Sequence, residues 1–252
     1  MKNTLGVIPA RMGSSRFPGK PLKKILDIPM LAHCYERAAM ADVCETLVIA
    51  TPDQDILNWA NFYDIPVVQT SHIHERATDR AKETLDILTK QGNSYENILL
   101  LQGDEPQILP EDIQNLKQAF SGKKYEAVNL VFPIYEDDLK DQNVVKAVLN
   151  KKLEIKFFSR SYIPHQASTG FRQLGMIGFS HDALIYYASL APTPMEKIES
   201  IDMMRFLEND FSIQGVLSSS PIIGVDKPED ILKVEKMMVD DHYVHLYKEK
   251  YL

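Results

Sequence analysis

The chain of 252 residues sets 28 lysines and arginines against 35 aspartates and glutamates, a formal net charge of −7. That balance shows no basic stripe, which argues against a nucleic-acid partner, and no apolar run approaches the ~20 residues that span a bilayer. A hydrophobic fraction of 44% and a charged fraction of 25% fit an ordinary globule large enough for one α/β domain with a smaller appendage. Neither a secretory apolar segment nor a cleavage site follows Met1, so a cytoplasmic, membrane-free protein is expected. Cys34 and Cys44 lack zinc-ligand spacing or a disulfide framework and are expected to be buried thiols.

The first apolar run, Leu5 to Ile8, reads as a buried strand. It gives way to a loop holding Gly13, Gly19, Ser14, Ser15 and three cations, Arg11, Arg16 and Lys20. Glycines admit close backbone approach, freed N–H groups can face a concavity, and the cations supply charge. That is the composition of a polyphosphate site. The spacing is not that of a P-loop, because Pro21 stands where a phosphate-binding helix would open, and the dinucleotide G-x-G-x-x-G is absent. A nicotinamide-dependent oxidoreductase is therefore a distant reading.

A helix is expected from Pro29 to Ala39, then a strand at Thr46–Ala50, a helix capped by Thr51-Pro52-Asp53-Gln54-Asp55 and running through Tyr63, and a strand at Pro66–Gln69. Alternation at this pitch predicts βαβ units and a mainly parallel sheet, with ligands beyond the carboxyl ends of its strands. Thr70 to Arg80 is polar and charged. Tyr95 to Leu101 is a further strand, ending in Gln102-Gly103-Asp104-Glu105-Pro106, where a carboxylate is well sited to hold a hard cation. Ala127 to Tyr135 and Asn143 to Leu149 read as strands on either side of an acidic cluster. Pro228, Glu229 and Asp230 open the last helix.

Ile8-Pro9-Ala10-Arg11 with Gly13-Ser14-Ser15-Arg16-Phe17-Pro18-Gly19-Lys20-Pro21-Leu22 resembles the opening motif of the 3-deoxy-manno-octulosonate (Kdo) cytidylyltransferases, and further matches run to about Asp230. The resemblance implies a Rossmann-like, GT-A-like nucleotidyltransferase sheet with a smaller α+β substrate and dimerisation subdomain. We expect residues 1–131 and 216–252 to form the nucleotide-binding domain and 132–215 to bind the sugar acid and a second subunit. The implied reaction moves CMP from CTP to the anomeric hydroxyl of a 3-deoxy-2-keto sugar acid and releases pyrophosphate. Its implied partners are CTP, an acidic sugar and a second copy in a homodimer.

By the same resemblance, Ala10, Arg11, Gly13, Ser14, Ser15, Arg16, Lys20, Thr78, Arg80 and Gln102 hold the nucleotide, with Arg11, Lys20 and Asp104 catalytic. Asp104, in a Gln-Gly-Asp-Glu-Pro that matches residue for residue, and Asp226, in Val225-Asp226-Lys227-Pro228-Glu229-Asp230, would ligate Mg²⁺. Arg160, Gln173, Gly175, Glu199 and Asp202 would meet the sugar acid, the Arg160 guanidinium clamping its carboxylate with a bidentate fork. Three departures stand out. His74-Glu75-Arg76-Ala77-Thr78-Asp79-Arg80 lacks the family's glutamine, serine and glycine, Gln173 replaces a histidine, and Met203 replaces a glutamine. These open two alternatives: a synthetase for a related acidic sugar, such as a nine-carbon nonulosonate, or a nucleotide-binding regulatory protein without catalysis.

Overall fold

The computed structural model describes residues 3–13, 16–122 and 125–252. The chain divides into two compact units. One comprises Met1–Tyr95, Leu100–Gln114 and Ile222–Leu252, and the other Glu96–Leu99 and Asn115–Pro221.

In the first unit β1 (Thr4–Pro9) is followed by a short hairpin, β2 (Lys24–Ile25) and β3 (Ile28–Pro29), and by α1 (Met30–Met40). Then come β4 (Thr46–Thr51), α2 (Gln54–Phe62), β5 (Val67–Gln69) and α3 (Ala77–Lys90). β1 pairs parallel with β4, Val7 facing Val48, and β4 parallel with β5, Ile49 facing Val67. Leu5, Val7 and Ile8 are buried on both faces, as the unbroken apolar run requires of a strand covered by helices. Next in the chain are β6 (Asn97–Leu100) and α4 (Pro110–Gln118).

The second unit takes β7 (Ala127–Tyr135), α5 (Glu136–Lys140), β8 (Lys146–Leu149), β9 (Glu154–Ser159) and β10 (Thr169–Ser180). Helices α6 (His181–Ser189), α7 (Pro194–Glu199) and α8 (Met204–Leu207) precede β11 (Ile213–Leu217). Its ladders run in a closed circuit, β10 to β7, β11, β9, β8 and back to β10, all antiparallel except β7 with β11. The parallel pairing expected of the chain joins β1, β4 and β5 in the first unit, and in the second only β7 with β11 keeps it. Residues 96–99, 115–131 and 216–221, expected in the nucleotide-binding domain, fall in the second unit, the latter two because β7 is held by both β10 and β11.

The chain then re-enters the first unit through α9 (Pro228–Met238) and α10 (His242–Tyr247), so the helix opened by Pro228 is not the last. Cys34 is buried and Cys44 half-buried, and neither forms a disulfide. No helix among the described residues is long and apolar enough to cross a membrane.

His33 ties this late segment to the start of the unit. Its Nε2 lies 2.9 Å from the Ile25 carbonyl oxygen and its Nδ1 2.6 Å from the Tyr247 hydroxyl. A carbonyl can only accept, so Nε2 carries the proton and Nδ1 takes the hydroxyl's, which is the neutral ring. Burial lowers its pKa from 6.5 to about 4. Between those values the unfolded chain binds the extra proton and the folded chain does not, so stability declines as pH falls through that window. We expect a loss approaching ~3 kcal/mol that is absent in His33→Gln, read from urea unfolding at pH 7 and pH 4.5. Parallel pH profiles for the two proteins would show that His33 is not the group responsible.

Candidate active site

β1 ends at Pro9, and the Ala10 amide donates to the Ala50 carbonyl at 3.0 Å, which keeps the chain in register just past the strand. The following loop closes on itself. Gly19, at φ 72°, donates its N–H to the Met12 carbonyl at 2.9 Å, and a single 3₁₀ turn, Lys20–Leu22, follows with Pro21 inside it. That left-handed conformation is one only glycine adopts without strain.

Asp53 stands at the amino-terminal cap position of α2, yet its carboxylate does not cap that helix. Its Oδ2 accepts the Met12 amide at 2.8 Å and so anchors the loop from a neighbouring strand end. Asp53 was legible in the sequence only as a helix cap, and its hold on the loop was missed.

The Gln102-Gly103-Asp104 turn lies alongside, fixed by the Leu101 amide donating to the Val7 carbonyl at 2.9 Å. A β-carbon on Gly103 would sit 2.9 Å from the Pro9 carbonyl oxygen and 3.3 Å from Leu31, so this approach excludes any side chain. The third component precedes α9. The Val225 amide donates to the Asp104 carbonyl at 2.9 Å, and Asp230 accepts the Asp226 and Lys227 amides at 3.1 and 3.0 Å.

These pieces surround a cleft of about 280 Å³ lined by Ala10, Arg11, Arg16, Lys20, Arg80, Gln102, Asp104 and Asp226. The sequence reading had named all eight. The Lys20 ammonium lies 2.7 Å from Asp104 Oδ2, 2.7 Å from the Val225 carbonyl oxygen and 4.0 Å from Asp226 Oδ1. The Arg16 guanidinium pairs with the same Asp226 oxygen at 3.0 Å. Two carboxylates within reach of one cation form a hard, oxygen-rich donor set, the kind that suits Mg²⁺.

Gly13 and Thr78 do not line the cleft, and Thr78 is fully buried. Ser14 and Ser15 lie outside the described residues. His74, Glu75, Arg76 and Ala77 line it without having been assigned there. The readable signal was a cation followed at once by the first turn of α3, since a helix amino terminus favours anions. Arg80 is nearly buried and directs its guanidinium at the Thr70 hydroxyl and the Ser71 and His74 carbonyls. Burial, and then the charge of Arg11, lowers its pKa. Arg80 thus shapes the 70–74 turn as well as the wall.

The expected sugar-side residues lie in the second unit. Arg160 Nε donates to the Glu199 carbonyl at 3.0 Å and Nη1 reaches the Gln142 and Asn143 carbonyls at 3.4 Å. Nη2 is left without a hydrogen-bond partner among the described residues, so a bidentate fork is not held ready. Both Glu199 carboxylate oxygens are engaged, by the Ser159 hydroxyl and the Arg160 amide, each at 2.8 Å. Lys146 is buried, its ammonium held by the Asp141, Val144 and Arg160 carbonyls at 2.8, 2.8 and 2.6 Å.

Gly175 sits in a bulge of β10 between Gln173 and Ile177. Buried Asn129 stitches that bulge, its Nδ2 donating to the Leu174 and Met176 carbonyls at 2.8 and 3.0 Å. Its Oδ1 must therefore accept, and it takes Gln173 Nε2 at 2.6 Å, which leaves Gln173 Oε1, an acceptor, outside that bond. Asp202 is half-buried, its carbonyl accepting the Arg205 amide at 3.1 Å. Met203 is wholly buried, so it fills core space and no sugar preference can be read from it.

Fold and cleft together define an α/β protein that gathers Arg11, Arg16 and Lys20 beside two carboxylates at the carboxyl ends of its strands. The cytidylyltransferase family model matches residues 5–214, and the chain belongs to that family. It is 36% identical over 248 residues to the 3-deoxy-manno-octulosonate cytidylyltransferase of Parabacteroides distasonis, covering 92% of this chain and 97% of the relative. The enzyme of that name from Fusobacterium nucleatum is 34% identical over 236 residues, covering 91% of this chain and 94% of the other. A structure of CMP:2-keto-3-deoxy-manno-octonic acid synthetase complexed with CTP superposes with a TM-score of 0.87 at 30% identity, covering 94% of this chain and 99% of that one.

If the loop holds an anion, forcing a side chain onto Gly19 should strain it by about 1 to 2 kcal/mol. Gly19→Ala is expected to weaken binding of inorganic tripolyphosphate severalfold in titration calorimetry. Equal affinity in variant and wild type would rule the loop out as the anion's holder.

Proposed function

We propose that this chain transfers CMP from CTP to the anomeric hydroxyl of a 3-deoxy-2-keto sugar acid, 3-deoxy-manno-octulosonate or a close variant, with release of pyrophosphate. The observation that carries this reading is the cleft in which Lys20 meets Asp104 and Asp226 beside Arg11 and Arg16. The names of the relatives and of the CTP-bound neighbour support the choice of nucleotide and sugar. In this reaction the anomeric oxygen bonds to the α-phosphorus as the bond from that phosphorus to the bridging oxygen breaks, pyrophosphate leaves with the electron pair, and the hydroxyl proton passes to solvent. Protein groups contribute mainly by positioning the reactants and offsetting charge.

Arg11, Arg16 and Lys20 would hold the triphosphate and stabilise the charge that grows on the departing pyrophosphate. Gln102 and the backbone of Ala10 would line the nucleoside side. Asp104 and Asp226 would hold Mg²⁺, which supplies Lewis-acid polarisation of a phosphoryl oxygen when bound. Arg160 Nη2 would take the sugar carboxylate while Glu199 positions that arginine. Gln173, presenting Oε1, would accept a hydrogen bond from the sugar, and Gly175 and Asp202 complete this proposed contact set. The same reading makes the active form a Mg²⁺-dependent homodimer of the cytoplasm.

Pyrophosphate release from CTP should require a sugar acid, tested with 3-deoxy-manno-octulosonate and a panel of eight- and nine-carbon ulosonates. Asp104→Asn and Asp226→Asn should each lower kcat by at least about a hundredfold. Absence of turnover with every sugar acid would overturn the enzyme reading in favour of a nucleotide-binding protein. A preference for a nine-carbon acid would shift the substrate and leave the chemistry intact.

A further inference from the structure

Lys20 is given two tasks that one ammonium cannot perform together. The reaction needs it on the triphosphate, yet the Asp104 carboxylate and the Val225 carbonyl each hold it at 2.7 Å, with Asp226 Oδ1 at 4.0 Å. Its side chain is only 12% exposed, against 35% for Asp104 and 44% for Asp226, so the ammonium is the sheltered member of the cluster. A divalent ion ligated by both carboxylates needs the space the ammonium fills, and two cations cannot share it.

The charges match as well as the positions. Two carboxylates face two loop cations, Lys20 and Arg16, the latter 3.0 Å from Asp226. A single divalent ion carries the same charge as that pair. The Arg16 contact is exposed and weakly held, whereas the Lys20 contact is enclosed and anchors the exchange. Lys20 also follows directly on Gly19, and its flexible stem can carry the ammonium from one partner to another without moving the turn.

From this we infer that Lys20 is the resident counter-ion of the Asp104–Asp226 pair and is exchanged for the divalent cation, so that metal entry releases the loop's cations to an incoming polyphosphate. The inference rests on the reading of those two aspartates as the metal's ligands. Exchange makes Lys20 and the metal competitors while no nucleotide is bound, and partners once one is. Lys20 is thereby a positioning group before it is a catalytic one.

Binding of Mn²⁺ alone to the full chain, followed by electron paramagnetic resonance of the free ion, tests the competition. Lys20→Met should bind Mn²⁺ about tenfold more tightly than wild type or better, since a cation a few ångströms from a carboxylate alters its affinity for a proton by one to three units. Unchanged or weaker binding would overturn the exchange. Reductive methylation of the wild-type protein, read at Lys20 by mass spectrometry, provides a second measurement that needs no variant to fold. Labelling should rise on adding Mg²⁺ and fall again on adding inorganic tripolyphosphate, and a Lys20 indifferent to Mg²⁺ would sink the proposal. Asp104→Asn separates the two levels of the argument. If it binds Mn²⁺ as wild type does, the ligand assignment fails, and the exchange fails with it.

Discussion

Contacts of 2.7 and 4.0 Å from one lysine to two aspartates join stretches of chain that lie 84 and more than 200 residues away from it in sequence. Everything else in the cleft follows from the need to hold like charges together without leaving them unbalanced. The Gly19 turn delivers the ammonium, the side-chain-free Gly103 brings the Asp104 turn against β1, and Asp230 holds the backbone of Asp226 from the first turn of α9. A site of this kind tolerates little displacement, because each charge is stabilised only while its opposite is in reach.

The second unit meets the same constraint with neutral partners. The buried Lys146 ammonium is balanced by three carbonyl dipoles, and buried Asn129 has its amide hydrogens directed at the carbonyls of a strand bulge. Desolvating polar groups is costly unless their hydrogen-bonding capacity is met, and here the partners that meet it also fix Arg160 and Gln173. Arg205 is a second buried charge there and is met by an opposite one, both carboxylate oxygens of Glu196, with its guanidinium over the Tyr187 ring.

Much of the first unit was legible because its signals are local. The strand at Thr4–Pro9, the helix at Met30–Met40 and the alternation through Val67–Gln69 follow from apolar runs bounded by proline, glycine and charge. The cations and acids of the cleft were legible as residue types that a polyphosphate requires. What escaped depends on distant partners. Asp53 looks like any helix cap until the Met12 amide is seen to lie beside it. The 12-residue β10 carries a bulge and three glycines, which blur the two-residue alternation that would have announced it. Arg160, a plausible clamp by type, turns out to be largely engaged by carbonyls.

The assembly of the first unit from three separate segments governs its biosynthesis. A ribosome makes Lys20 and Asp104 long before Asp226, and Tyr247 still later. Until that last stretch emerges, a nascent β1–β4–β5 layer has its His33 ring without the hydroxyl that completes it and its loop cation without the second acid. The uninterrupted run of the other unit, Asn115–Pro221, is finished first, so vectorial synthesis leaves the cleft around Lys20, Asp104 and Asp226 as the final part of the protein to mature.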